Sequence, residues 1–356
     1  MERISFDPLY RLTIKILTRV GVPKRDAATV SDALLRADLE GVESHGICRL
    51  PVYVRGIQEK RINPVPRIRV RRLGGVIQVD GDNGLGQVVS RQAVSEAITS
   101  ARQTGVSVSA VSHSNHNGAA SYYCQRAAEE GMVMIAMTNS PSGIPPAGGR
   151  KAFLGTNPIA FGFPPTKKRP PLIVDMSSSV VARGKVMLAA KKGLPIPSGW
   201  AIDESGERTT DPKAALKGAV LPFGGAKGSA LATAIEILSG MLSGAAFGSH
   251  VQSMDGGGSS ANVGHFFILI HVAHLMDRQE YDRRMDQFIE EMKSVPLIQG
   301  ATEIFYPGER RYHRYMERKQ SGIPISEELC EELARLATHC DVEHDFLQRS
   351  HAAGTK

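Results

Sequence analysis

The chain of 356 residues carries only four cysteines, Cys48, Cys124, Cys330 and Cys340. They are scattered and form no C-x-x-C pair, so a disulfide framework or zinc knuckle has no support and free thiols in a reducing compartment are expected. Aromatic residues are 6% of the chain, with a single tryptophan. No RNP-like or zinc-finger spacing accompanies them, so nucleic acid is not expected as a partner. No run of 18 apolar residues occurs, which excludes an ordinary transmembrane helix. The opening MERISFDPLYRLTIKI is interrupted by Glu2 and Asp7 and has no signal-peptide layout, so the expected location is the cytoplasm. The usual nucleotide signatures are also missing. GDNGLG (81–86) has the wrong spacing for G-x-G-x-x-G, and GGRKAFLG (148–155) does not open a helix after a strand. PFGGAKG (222–228) lacks the Ser or Thr that ends a P-loop.

What is present describes a folded protein. Hydrophobic residues are 42% and charged residues 22%, enough for a sizeable core spread over two or three domains. The formal charge is +7, with basic clusters at 67–72, 167–169 and 310–318. Most of that charge reads as solvated surface; its sharper use is attraction of an anionic substrate or a phosphate-bearing cofactor.

The first seventy residues read as helical. Asp7-Pro8 suits a helix start, Leu9, Leu12, Ile16 and Leu17 follow at helical spacing, and Gly21 closes the segment. Residues 26–39 repeat the pattern, the polar stretch 41–49 interrupts it, and 50–58 can resume as helix. Ile68, Val70, Val76, Ile77 and Val79 then alternate about Gly74-Gly75 as a hairpin. Helices over 87–104, 119–130, 180–192 and 229–242 alternate with strands over 106–111, 132–137, 159–163, 172–175 and 266–270. Charged amphipathic helices return from about Asp277. Helices at both ends thus flank a central α/β body. The Gly- and Ser-rich stretch 244–264 reads as a mobile surface loop.

Two segments stand out for chemistry. Glu43-Ser44-His45-Gly46-Ile47-Cys48-Arg49 combines a group that exchanges protons near neutral pH, a neighbouring hydroxyl, and an arginine able to fork onto a carboxylate. That trio suits a carbonyl beside a carboxylate, although from spacing alone a polar loop with a hydrogen-bonded histidine is the better reading. HSNHNG (113–118) lies where a strand hands over to a helix, a junction that aims backbone N–H groups at whatever lies above it. Its H-x-x-H has no nearby carboxylate or thiolate, so no metal is expected. GTNP (155–158), DMSSS (175–179), GGAKG (224–228) and YPGERR (306–311) are turn-like clusters supplying hydroxyls, amides and cations suited to phosphates and a ribose.

In order along the chain, ESHGICRLPVY, VDGDNGLGQ, SNHNGAASYY, GTNPIAFGFP, DMSSSVVARGKV, PSGWAID with TTDP, PFGGAKGSALA and YPGER resemble the type 2 malate/L-lactate dehydrogenases, the L-2-hydroxyacid oxidoreductase superfamily. The resemblance covers nearly the whole chain. It implies an α/β fold of non-Rossmann NAD(P)-binding type, a central mixed sheet with a helical domain from both chain ends. The boundaries it suggests are 1–70 for the N-terminal helices, 71–276 for the cofactor domain, and 277–356 for C-terminal helices that complete the first part. It also implies a homodimer or larger assembly.

The implied reaction is hydride transfer between NAD or NADP and the C2 carbon of a small 2-oxo or 2-hydroxy acid. Cyclic imino-acid reductases and ureidoglycolate- or sulfolactate-type dehydrogenases of the same superfamily are the alternative. By motif, His45 is the expected proton donor with Ser44 orienting it, and His116 is the second candidate. Arg49 is expected to bind the substrate carboxylate, and Thr156 and Asn157 to line the pocket. Contacts to the dinucleotide are expected from His116, Asn117, Gly118, Asp175, Met176, Ser177, Arg183, Gly184, Lys185, Ala226, Lys227, Gly308, Glu309 and Arg310. Imino-acid reductases tend to carry an acid where this chain has Lys185, which favours an oxo acid. SPSGIPPAGG (140–149) is expected beside the pocket, tuning selectivity.

Overall fold

The computed structural model describes residues 2–254, 256 and 258–344. A short strand β1 (Glu2–Ile4) leads into α1 (Phe6–Arg19) and α2 (Lys24–Leu39), whose apolar stripes bury Leu9, Leu12, Ile16 and Leu17, and Ala27, Val30, Leu34 and Leu35. Helix α1 starts two residues before Pro8, with Ser5 at the N-cap position. Proline lacks only an N–H that the first turn does not use, so Pro8 is tolerated there. Two 3-10 turns, Glu43–His45 and Ile47–Arg49, then run into α3 (Leu50–Gln58).

The hairpin β2 (Arg69–Leu73) and β3 (Val76–Asp80) is followed by α4 (Gly86–Thr104), β4 (Val106–Ser114), α5 (Ser121–Glu129) and β5 (Met132–Thr138). Next come β6 (Ser142–Ile144), β7 (Leu154–Gly155), β8 (Ile159–Phe163) and β9 (Leu172–Met176). After α6 (Arg183–Lys192), β10 (Ala201–Ile202), α7 (Pro212–Lys217), β11 (Ala219–Val220) and α8 (Ala226–Glu236), the chain returns to the sheet as β12 (Val263–His271). The seven-stranded sheet runs β2-β3-β4-β12-β5-β8-β9. Only β3 and β4 are parallel, joined through α4; every other neighbour is antiparallel. The sheet is therefore mixed, as expected.

Both faces of its centre are covered, which explains the apolar run of β5 and β12. On one face Ala93, Ala97, Tyr123 and Cys124 pack against Met134, Phe267 and Leu269. On the other, Ile235 meets Met137, Ile159 and Phe266. The remaining elements are α9 (Arg278–Ser294), α10 (Glu309–Ser321), β13 (Ile323–Ile325) and α11 (Glu327–His339). Strand β13 pairs antiparallel with β1, Glu2 opposite Ile325. Leu333 and Ala337 of α11 share one core with α1, α2 and α3, whereas α9 packs at the sheet edge, Ile289 against Leu172 and Tyr306.

Three sequence expectations shift. The helix anticipated over 229–242 divides: α8 stops at Glu236 and Ile237–Met241 winds as a π-turn. Ser243 Oγ donates to the carbonyls of Ser239 and Gly240, competing with regular helix bonds. Helix α6 starts at Arg183, not 180, because Val180 donates its N–H to Leu221 O in an extended ladder. Within 244–264, Val251, Ala261 and Val263 are buried as a small cluster, and Met254 O accepts from Arg61, so the stretch is a loop fastened by its own apolar residues.

Candidate active site

The SHG segment stands on a buried carboxyl. Asp38 accepts the Ile47 N–H at 2.7 Å, and a Cβ on Gly46 would lie 1.7 Å from Asp38 Oδ1, so only glycine lets the loop sit this low. Burial pushes the Asp38 carboxyl up to about 8. From α10, Arg318 clamps the same segment, donating to Asp38 O at 2.6 Å and pairing with Glu43 at 2.7 Å.

This platform presents His45 and Arg49 on successive turns. His45 Nδ1 is 2.9 Å from Ser44 Oγ, and Arg49 Nε donates to Ser44 O at 2.7 Å. The terminal nitrogens of Arg49 and the Nε2 of His45 make no hydrogen bond to a described residue. The His45 ring stacks on His116, centroids 5.4 Å apart and 26° between planes. Both rings keep an edge toward solvent although protein surrounds most of each. That desolvation, with the charges of Arg49 and Arg311 against the opposing Asp175, lowers His45 to about 4. His116 is held well below the ordinary imidazole range by burial, then by His45 and Arg49.

His116 lies just past the end of β4. Its Nδ1 is 2.8 Å from Tyr53 Oη, and Gln87 Nε2 donates to the same hydroxyl at 2.8 Å. Gly86 brings Gln87 underneath: a Cβ there would meet Asn115 O at 2.2 Å and His116 O at 2.4 Å. Asn117 faces inward, donating to Ser90 Oγ at 3.1 Å.

Asp175, near the end of β9, accepts from the Ser121 N–H that opens α5 and from Arg311 at 3.0 Å. The DMSSS and GGAKG segments are laced together, Val180 N–H to Leu221 O and Phe223 N–H to Ser178 O, so Ser177 runs beside the start of α8. Ser178 also bonds Thr156 O through both its N–H and its hydroxyl. Arg183, Gly184 and Lys185 in the first turn of α6, and Ala226 and Lys227 at the start of α8, are exposed, and neither helix has a side-chain cap. Open backbone N–H groups beside cations fit the phosphates of a dinucleotide.

Four expected residues are engaged elsewhere in the protein, the inward-facing Asn117 among them. Asn157 is fully buried, donating to Glu236 at 2.6 Å and to Ala232 O at 3.0 Å while accepting from Ser140 N–H. Glu309 pairs with Lys293 at 2.6 Å and accepts the Tyr306 N–H. Arg310 lies over the Phe305 ring at 4.2 Å. One step around the helix, Arg311 reaches Asp175, and the second arginine of YPGERR was the available signal for it. Tyr53 and Gln87 close the motifs ESHGICRLPVY and VDGDNGLGQ without being singled out, and Asp38 lies outside every motif. A groove of about 710 Å³ lined by Arg19, Gly21, Lys60 and Pro64 contains none of these groups. Among the described residues no cluster of three or more His, Cys, Asp or Glu side chains is suited to a metal, and no helix is long and apolar enough to cross a membrane.

Two stacked imidazoles, a guanidinium with free terminal nitrogens and open helix starts define a site for acid/base work on a small anionic compound beside a phosphate-bearing cofactor. Comparison with known proteins makes that class particular. Residues 4–334 match the family model described as malate/L-lactate dehydrogenase. The chain is 41% identical over 350 residues to a malate dehydrogenase of Pyrococcus horikoshii, covering 96% of each. It is 39% identical over 340 residues to an L-sulfolactate dehydrogenase of Methanocaldococcus jannaschii, covering 95% of this chain and 97% of that one. A solved delta1-piperideine-2-carboxylate reductase from Pseudomonas syringae superposes with a TM-score of 0.85 at 31% identity, covering 95% and 100% of the two chains. The chain belongs to the malate/L-lactate dehydrogenase family and is an oxidoreductase of that class.

Proposed function

We propose that the protein reduces the C2 carbonyl of a small 2-oxo acid, and oxidises the matching 2-hydroxy acid, with NAD or NADP as cofactor. One observation carries the reading: His45 and Arg49 are both tied to Ser44, and each keeps its remaining nitrogens unpartnered among the described residues. Arg49 grips the substrate carboxylate through a charge-assisted fork. His45 gives its proton to the carbonyl oxygen as negative charge develops there, with Ser44 aligning the ring. Thr156 lines the same space from the strand side. When bound, the nicotinamide supplies the hydride. Asp175, Met176 and Ser177, the first turn of α6 and Ala226-Lys227 hold the nucleotide, and Gly308 borders it; the uncapped, exposed helix starts support this assignment. Asn157 and Glu309 serve from below by fixing backbone.

The protein works as a homodimer or larger assembly in the cytoplasm. Exposed Leu275, Phe288 and Ile298 support a covered face, and four cysteines without a disulfide among the described residues suit a reducing compartment.

The test is a panel of pyruvate, oxaloacetate, sulfopyruvate, 2-oxoglutarate, diketogulonate and piperideine- or pyrroline-2-carboxylate, each with NADH and NADPH. Turnover of a 2-oxo acid is expected, with His45→Ala lowering kcat by about 10²–10⁴. Reduction of the cyclic imines alone, or near-native turnover by His45→Ala, overturns the reading.

A further inference from the structure

The proton positions around His116 follow from its neighbours. The Gly118 N–H points at His116 Nδ1 from 3.3 Å, so Nδ1 is an acceptor and carries no proton. The Tyr53 hydroxyl, 2.8 Å from the same nitrogen, must then donate to it, and the Tyr53 oxygen in turn accepts from Gln87 Nε2. A reversed Gln87 amide would draw the Tyr53 proton to itself and leave two acceptors, Tyr53 Oη and Nδ1, facing each other. The chain Gln87 to Tyr53 to Nδ1 has one consistent direction, and it ends with the proton on Nε2. That nitrogen makes no hydrogen bond to a described residue, and its ring lies face to face with His45. Protonating Nδ1 as well would set three N–H and O–H donors against one another.

We infer that Tyr53, backed by Gln87, is a positioning residue that locks His116 as the neutral Nε2–H tautomer, so that His116 donates a hydrogen bond to the substrate's carbonyl oxygen and leaves proton transfer to His45. The inference rests on the 2-oxo acid reading above. It also separates substrate classes. A ketone oxygen has two lone pairs and accepts from His45 and His116 together. A cyclic imine nitrogen has one lone pair, and its protonated form has none, so the second donor has nothing to bind. The lock therefore favours oxo acids over imino acids.

Two measurements test this. In protein labelled with nitrogen-15 at histidine, with His116 assigned by the spectrum of His116→Gln, Nδ1 should show the shift of an unprotonated nitrogen and Nε2 that of a protonated one, unchanged from pH 5 to 8. Tyr53→Phe should move both shifts toward a mixture of tautomers. In kinetics on the 2-oxo acid, His116→Ala should lose about 10²-fold in kcat/KM, as for removal of one oxyanion donor. His116→Gln, which keeps a donor near the Nε2 position but cannot exchange a proton, should stay within about tenfold of the parent. Tyr53→Phe should lower kcat about tenfold with KM little changed. A protonated Nδ1 in the parent protein, an imidazolium titrating in that pH range, or a Gln variant as slow as the Ala variant overturns the inference. Failure of every 2-oxo acid in the panel sinks the functional reading instead, and the nitrogen shifts, read without substrate, distinguish the two outcomes.

Discussion

His45 has a low affinity for protons in the free protein because its ring is desolvated and faces Arg49 and Arg311, with only Asp175 opposing. A substrate carboxylate seated on Arg49 cancels the stronger of those two influences and raises the pKa of the ring. The pH profiles should therefore separate. For reduction, kcat/KM is expected to fall as pH rises above the free-protein value of about 4, while kcat holds to higher pH because His45 keeps its proton in the complex. Steady-state profiles in both directions check this, and coincident midpoints would contradict it. Ser44, His45 and Arg49 were legible because each brings its chemistry in its own side chain, within one short polar segment. The roles of Arg311 and Tyr53 were not legible although both lie inside quoted motifs, because a second arginine in a helix and a tyrosine among apolar residues acquire their partners only through folding. Family resemblance carried the reading further than spacing did, but a motif position does not reveal which way a side chain turns, and Asn157 and Glu309 are turned to internal partners.

At the level of elements, the strands of the central sheet were readable from their apolar runs, and α1, α2 and α4 from their stripes. The pairing of β1 with β13 was not, since three residues at each end hold no periodicity. Nor was the π-turn after α8, which arises where the Ser243 hydroxyl bonds back onto the carbonyls of Ser239 and Gly240. Glu236, at the end of α8, is a buried carboxylate that accepts from Asn139, Asn157 and the Gly248 N–H at 3.1, 2.6 and 3.0 Å. It fastens β5, the GTNP turn and the loop after α8 to one point. Asn157→Ala removes one donor to that charge and strips the Ser140 N–H of its acceptor. A loss of about 2–5 kcal/mol is expected from urea unfolding. The nitrogen shifts of His116 should not change, because the damage stays on the far side of the sheet.

For the whole molecule, Asp38 ties catalysis to stability. Its carboxyl titrates at about 8 in the folded chain against an ordinary value of 3.8, so the folded state binds more protons between those limits. Stability must then fall as pH rises through that window and level off above it. The fall should amount to on the order of 3 kcal/mol between pH 5 and pH 8. Asp38→Asn should flatten it, while Glu43 and Arg318, the charged groups beside Asp38, remain in place. Urea unfolding at pH 5, 6.5 and 8 measures the slope, and a parent protein that gains stability over this range would contradict the account.

The shared core of α1, α2, α3 and α11, with β13 laid on β1, has a consequence for how the protein comes into being. Arg318, which clamps the catalytic turns, belongs to the last quarter of the described chain, while those turns belong to its first. During synthesis the ribosome delivers His45 and Arg49 long before the residues that steady them. A growing polypeptide thus carries both proposed catalytic groups without the clamp that arranges them, and the proposed site is completed only once the closing helices have emerged and docked.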